Sequence, residues 1–342
     1  MKKLKILITG SSGFIGKQLV KKLYKKNNLL LLDKKKFSKK NTQYFKIDLM
    51  DKNKLENFFI NNKFDIIIHL ASEIFDDDKN VYNYNTTTSK NLIKLAEKYN
   101  INHLIFTSTF SIYERNYNFP IKENQKPSAK NFYGKSKYQV EKIIKRSKIK
   151  KFTILRIPVV VGKARSHRMG ILFELIRNNL PLVLINDGKH KIHFISVDQL
   201  TEIIEKCLRL KNRNLLNVGT NFTYTFKENI EYLLQKSKSN SKIINVNYYL
   251  GTFLLNTLIF LKLVDINFYH KALLTQNMVL NIEKAKKKLN LKFNKSSKEI
   301  LLESYNYYID NLNRISDIKS GSDKKPKMKI FNILRLFSFL FK

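Results

Sequence analysis

Residues 4–16 read LKILITGSSGFIG. A short apolar run, Leu4–Thr9, passes directly into Gly10-Ser-Ser-Gly13-Phe-Ile-Gly16, a G-x-x-G-x-x-G spacing, and a helical pattern follows from about Gly13 to Lys26. An unbroken apolar strand suits the interior of a parallel sheet, where helices cover both faces. Glycines placed between such a strand and a helix let the chain turn tightly and bring its backbone close to a pyrophosphate, and Gly16 lets helix and strand pack closely. The helix start aims backbone N–H groups and its positive dipole end at the same point. The chain has only ten glycines, so three at this spacing form a specific signal. They predict a dinucleotide cradle at Gly10, Ser12, Gly13, Phe14, Ile15 and Gly16; the alternative is a turn that serves packing alone.

The alternation continues. Leu29–Leu32, Tyr44–Ile47, Asp65–Leu70, His103–Ser108 and Phe152–Ile157 read as strands, and Asn85–Tyr99 and about Tyr133 to Arg146 read as helices. Strands alternating with such helices predict the α/β class, with a Rossmann-type, doubly wound parallel sheet. Segments 162–170 and 186–191 read as loops, Leu215–Val218 as a last sheet strand, and 220–312 as mostly helical and poor in glycine. The predicted organisation is a dinucleotide-binding domain over 1–160, with its last strand returning near 214–219. A smaller, mostly helical C-terminal substrate domain over 161–315 is interleaved with it. From Ser316 the chain reads SDIKSGSDKKPKMK, a linker-like composition ahead of a basic tail, so 316–342 is set apart.

Cys207 is the single cysteine, which excludes an intramolecular disulfide framework and a multi-cysteine zinc site. A hydrophobic content of 43% excludes disorder over most of the chain. The first apolar run is too short for a signal peptide, and no stretch offers about 20 unbroken apolar residues. The expected location is therefore the cytoplasm. The net charge of +38 would fit a nucleic acid or an anionic surface. Yet the lysines are spread nearly everywhere, and Lys, Asn, Ile and Phe share AT-rich codons. Base composition explains the charge, with RNA, another polyanion or an anionic membrane as alternatives; no nucleic-acid partner is expected, since such a surface clusters its charge.

Asp33 ends the second strand, 17 residues past Gly16. A carboxylate there accepts hydrogen bonds from ribose hydroxyls and repels a 2′-phosphate, which favours NAD over NADP. Lys34, Lys35 and Lys36 pull the other way, and the bland alternative is that Asp33 merely ends a strand. Tyr133-Gly-Lys-Ser-Lys137 places a phenol and an ammonium on one helix face. A lysine beside a phenol lowers the phenol's pKa from about 10, so Tyr133 is a candidate general base. By itself the spacing also fits a surface helix in a lysine-rich chain. Thr107-Ser-Thr109-Phe-Ser-Ile-Tyr113 follows a strand, where open α/β sheets take their ligands, and offers a hydroxyl to share the proton handled by Tyr133. His69 reads as a structural strand residue. His167, His190 and His193 are not spaced as a metal site, and no metal is expected.

These residues resemble the extended short-chain dehydrogenase/reductase superfamily, in its NAD-dependent epimerase/dehydratase branch. The resemblance runs over roughly 4–295, through the glycine loop, Asp48-Leu-Met-Asp51, His69-Leu-Ala-Ser72, Ser108-Thr109 with Tyr113, Tyr133 with Lys137, Leu155-Arg156 with Val161-Gly162, Phe194-Ile-Ser-Val-Asp198, Asn217-Val-Gly219 and Glu283-Lys-Ala with Leu289. It implies catalytic roles for Thr109, Tyr133 and Lys137, with Lys137 also holding the cofactor ribose. It implies that Asp48 and Leu49 lie by the adenine, that Leu70, Ala71 and Ser72 line the dinucleotide path, and that Asn85 and Pro158 lie beside the site. Substrate contacts are expected from Ser111, Val161, Arg168 and Lys191.

The implied activity is an NAD-dependent epimerase acting on a nucleotide-activated sugar, working as a homodimer through helices at Asn85–Tyr99 and Tyr133–Arg146. The alternatives are a keto-sugar reductase or other alcohol/ketone oxidoreductase, an epimerase of lipid-linked sugars, and a non-catalytic NAD- or RNA-binding module. Phe110 and Ser111 stand where dehydrating members carry Asp-Glu, so dehydration is not expected. Ile192 stands where many nucleotide-sugar members place an arginine for the diphosphate; Lys189, His190, Lys191 or Arg168 would have to serve instead.

Two apolar segments remain. Tyr248–Val264 reads as a buried or lid helix, with membrane contact as the alternative. Lys327–Lys342, KMKIFNILRLFSFLFK, has its polar residues recurring every three or four positions and reads as a basic amphipathic helix. It would either lie in a membrane interface as a peripheral contact or dock on protein.

Overall fold

The computed structural model of the protein describes residues 3–37, 39, 42–74, 78–113, 117–162, 169–261 and 268–313. Apolar runs of a few residues form strands, and the segments between them form helices. In chain order these are β1 (Lys5–Thr9), α1 (Phe14–Leu23), β2 (Asn28–Asp33), β3 (Gln43–Lys46), α2 (Lys52–Asn61), β4 (Ile66–His69), α3 (Lys79–Lys98), β5 (His103–Thr109), α4 (Phe132–Arg146) and β6 (Lys151–Ile157). There follow β7 (Val159–Val161), α5 (Gly170–Arg177), β8 (Leu182–Ile185), β9 (Phe194–Ser196), α6 (Val197–Cys207), β10 (Arg213–Asn217), α7 (Phe226–Ser237) and β11 (Ile243–Val246). The last four are α8 (Tyr248–Phe260), α9 (Phe268–Thr275), α10 (Glu283–Leu289) and α11 (Ser297–Asp310).

Two compact units result. The first holds the described residues up to Pro158, then Val197–Gly219 and Leu280–Lys292. Its seven-stranded sheet runs β10-β6-β5-β4-β1-β2-β3, every pair parallel. The chain winds outward from β1 to β3, then returns to β4 on the other side of β1. That reversal opens a crevice at the carboxyl ends of β1 and β4, the place where doubly wound sheets take ligands. Leu7, Leu32, Ile67 and Leu104 from the strands join Phe58, Leu92, Ile93 and Ile144 from α2, α3 and α4 in one buried cluster. α1 and α6 pack on each other outside that cluster, through stripes that include Leu19, Leu23, Leu200 and Ile204.

The expectation of a last strand returning near 214–219 corresponds to β10, and α6 and α10 return with it. The α3 helix begins six residues before the predicted Asn85, because the Asp78 carboxylate accepts the Asn80 and Val81 N–H groups and caps it there. The second unit holds Val159–Ser196, Thr220–Val279 and the described residues from Phe293. Among its described residues it has five α-helices and two small parallel pairs, β8 with β11 and β7 with β9. Its core includes Phe173 against Tyr305 and Tyr308, and the Tyr308 hydroxyl donates to Glu174 Oε1 at 2.7 Å.

Candidate active site

The cradle is built by main chain meeting main chain. Gly10 has φ +72°, and a β carbon there would fall 2.6 Å from the Ala71 nitrogen and 2.8 Å from the Leu70 carbonyl carbon. Only glycine allows this approach of the segments after β1 and β4. Gly13, at the N-cap of α1, has no side chain with which to cap it. The Ser11 hydroxyl is buried and meets no hydrogen-bond partner among the described residues. At the end of β2, Asp33 Oδ2 accepts the Ser12 N–H at 2.9 Å and Oδ1 accepts the Lys35 N–H at 2.9 Å, so the carboxylate stands against the glycine turn. Lys34 is hydrogen-bonded to Glu73, with its ammonium 4.8 Å from the Tyr84 ring centroid.

Asp48 accepts the Tyr84 hydroxyl at 3.0 Å; burial, reinforced by that carboxylate, holds the phenol above its usual range. Asn85 binds Glu73 through both backbone groups, at 2.8 and 3.0 Å, and donates to Ser136 Oγ at 3.1 Å, tying α3 to the segment after β4 and to α4. Leu49 packs in the core, Ser72 donates to the Glu73 carbonyl, and Pro158 is buried directly after β6. A glycine turn, a helix that starts at a glycine and a carboxylate at the next strand end fit the adenosine diphosphate half of a dinucleotide.

The second half of the site is carried by α4. Asn131 caps this helix, accepting the Gly134 N–H at 2.6 Å, and donates to the Ser111 carbonyl at 3.3 Å. A β carbon on Gly134 would lie 2.0 Å from that same carbonyl oxygen. The helix start is therefore pressed onto the single 3-10 turn Phe110–Ile112. Thr109 caps this turn, accepting the Ser111 N–H at 3.1 Å and donating to the Ser111 hydroxyl at 3.3 Å. Tyr133 sits half-buried in the first turn of α4.

Lys137, one turn on, is only 3% exposed. Its ammonium donates to the Thr107 carbonyl at 3.0 Å and lies 5.9 Å from the Tyr133 ring centroid. Burial brings its pKa down to about 7. His69 is a neutral strut, as its sequence context suggested. Its ring nitrogens lie 2.7 Å from Thr9 Oγ1 and 2.9 Å from Ser89 Oγ, and burial followed by the Lys137 charge lowers its pKa to about 3.

One buried polar cluster beside these residues was not assembled from the sequence. The Arg156 guanidinium makes two bonds to Glu141, at 3.0 and 2.7 Å, with both side chains buried. Ser108 donates to Glu141 at 2.6 Å, and Arg156 also donates to the Tyr113 hydroxyl and the Glu123 carbonyl. Tyr133, Lys137 and Glu141 step by four residues along one stripe of α4, so a carboxylate in line with the tyrosine and lysine was the available signal.

Of the expected substrate residues, Ser111 lies in the turn beside Thr109. Val161 is buried in β7, and Lys191 is exposed with its backbone bridged to Thr225. Arg168 lies outside the described residues. Ile192 is fully buried within the second unit, its backbone bridged to Met278, which accounts for an apolar residue at that position. His190 and His193 are buried, 2.8 Å from the Leu273 carbonyl and 2.6 Å from the Thr220 carbonyl.

The model of the NAD dependent epimerase/dehydratase family matches residues 6–219. Among curated proteins, UDP-glucose 4-epimerase of Lactobacillus helveticus is 25% identical over 285 residues, 72% of this chain and 84% of that one. N-acetyl-alpha-D-glucosaminyl-diphospho-ditrans,octacis-undecaprenol 4-epimerase of Escherichia coli is 28% identical over 217 residues, 60% of this chain and 63% of that protein. The solved structure of Thermus thermophilus UDP-glucose 4-epimerase in complex with NAD has a TM-score of 0.71 at 20% identity, covering 90% of this chain and 99% of that one.

Proposed function

The chain belongs to the NAD-dependent epimerase/dehydratase family, and on that premise we propose that it is an NAD-dependent epimerase of a sugar carried on a diphosphate, most simply a nucleotide-activated sugar. The observation that carries this reading is Lys137: its ammonium is buried one turn from Tyr133, on a helix pressed against the Thr109 turn. Burying an ammonium is unfavourable, and a module that only bound a dinucleotide would have no need of it.

In this reading the Gly10–Gly16 turn and the start of α1 hold the pyrophosphate. Asp33 accepts hydrogen bonds from the adenosine ribose, and its charge disfavours a 2′-phosphate. Lys34 is already matched by Glu73, so it adds little pull towards NADP. The chemistry supplied by the bound dinucleotide is reversible hydride acceptance at its nicotinamide ring. Tyr133 takes the proton of the reacting sugar hydroxyl and gives it back. Thr109 orients the same oxygen, and Lys137 holds the nearby ribose while keeping positive charge beside the phenol. The E. coli relative supports a second reading, in which the diphosphate carrier is a lipid.

The test is to identify the nucleotide released on denaturing the protein, then to follow UDP-, dTDP- and GDP-sugars and a polyprenyl-diphosphate sugar by NMR. Tyr133→Phe should retain NAD and lose at least about a hundredfold in turnover. Wild-type turnover in that variant would remove Tyr133 from the mechanism, and net consumption of NAD(P)H would turn the assignment to a reductase.

A further inference from the structure

The segment expected to be a buried or lid helix is mostly exposed, and among the described residues only one line of it is covered. α8 buries only Gly251 and Leu255. A β carbon on Gly251 would lie 2.8 Å from an Ile185 side-chain carbon and 2.9 Å from a Val246 one, so one narrow line of the helix seats on β8 and β11. The remainder faces outward, with Tyr249 83%, Phe253 66% and Phe260 84% exposed, and Leu250, Leu254 and Leu261 exposed beside them. Seven of the twelve exposed large apolar residues in the described chain fall between Tyr248 and Leu261. That stretch carries no charged residue. Concentrated apolar exposure of this kind marks an interaction surface.

The sequence on either side of α8 is basic. Between Glu231 and Asp265 the chain has Lys236, Lys238, Lys242 and Lys262 and no carboxylate. Lys271 donates to Asn256 Oδ1 at 2.8 Å and brings a further ammonium to the side of α8. We propose that α8 is a membrane-docking element that lies in the interface of an anionic lipid surface. Its Phe and Leu side chains enter the acyl boundary, its tyrosines stay at headgroup level, and the lysine fringe meets lipid phosphates.

Two observations favour a lipid over a second copy of the chain. A second copy would bring the same lysine fringe and a net charge of +38 against its like, whereas an anionic leaflet complements both. At 13 residues the helix is about 20 Å long, against roughly 30 Å of hydrocarbon, so it can lie on a bilayer and not span it. Among the described residues no helix is long and apolar enough to cross a membrane. The basic tail 327–342 lies outside the described residues, and the test leaves it in place.

The chain contains no tryptophan, so Phe253→Trp in the full-length protein is a single reporter. On vesicles of phosphatidylglycerol and phosphatidylcholine its emission should move to shorter wavelength and be quenched by brominated acyl chains. Pure phosphatidylcholine should give a much smaller change. The full-length Phe253→Glu/Phe260→Glu variant, with circular dichroism and NAD content unchanged, should co-sediment with the anionic vesicles at least about tenfold more weakly. Three results would each overturn the proposal. The first is an emission unchanged by vesicles. The second is a shift with protein concentration alone as a dimer forms in sedimentation velocity, making a second copy the occupant. The third is a Glu variant that sediments like the wild type, leaving any membrane contact to another element.

Discussion

Lys137 serves two opposed demands. Its charge is wanted beside Tyr133, yet its burial disfavours that charge and brings the pKa to about 7. Between that value and the 10.5 of an unfolded lysine, the unfolded chain binds more protons than the folded one, so this residue's contribution to stability rises with pH across the window. Lys137→Met should therefore abolish turnover while melting higher than the wild type at neutral pH, and the gap should narrow as the pH is raised towards about 10. Paired thermal melts at several pH values check this; a variant that melts lower throughout would mean that the bond to the Thr107 carbonyl outweighs the buried charge. Gly10, Asp33, Tyr133 and Lys137 were legible in the sequence because each signal lies within one element or across one turn. Asn131 and Gly134 were not, because what they meet is the Ser111 carbonyl, and Glu141 was not, because what it meets is Arg156.

At the scale of elements, α4 is held at its start by Asn131 and Gly134 against the Ser111 carbonyl, and further along by Glu141 against Arg156 of β6. Gly134→Ala would force its β carbon to 2.0 Å from that carbonyl oxygen, so the helix start must retreat and carry Tyr133 with it. Turnover should drop at least about tenfold with the fold retained, since an ångström of misplacement can cost more than that; circular dichroism and steady-state rates separate the two. Arg156→Met leaves a buried carboxylate without its partner and should destabilise by about 3–5 kcal/mol, and adding Glu141→Leu should restore much of the loss in denaturant titrations. The longer strands were readable as apolar runs. α2 was not, because DKNKLENFFINN gives the core only Leu55, Phe58 and Phe59. The strands β7, β8, β9 and β11 have three or four residues each and lie outside the strand–helix alternation that marked β3 and β4, which are as short.

Over the whole molecule, the chain leaves the first unit after Pro158, re-enters it at Val197–Gly219 and again at Leu280–Lys292. The first re-entry is fixed by the apolar stripe of α6 on α1 and by β10 pairing with β6; the strand was read from Leu215–Val218, whereas the packing of α6 on α1 is made at long sequence separation and so is invisible to a local reading. The interior also stores neutral histidines: burial lowers His69 to about 3 and His103 and His193 to about 4. Once unfolded these rings titrate near 6.5, so below that pH the unfolded chain takes up more protons and stability falls as the solution is acidified. The melting temperature should decline steadily from neutral pH towards about pH 4.5; a flat profile would contradict it. The close meeting of Gly10 with Ala71 has its own consequence. Peptide atoms fill that junction so closely that not even a methyl group fits, so any side chain at position 10 would have to wedge apart the ends of β1 and β4.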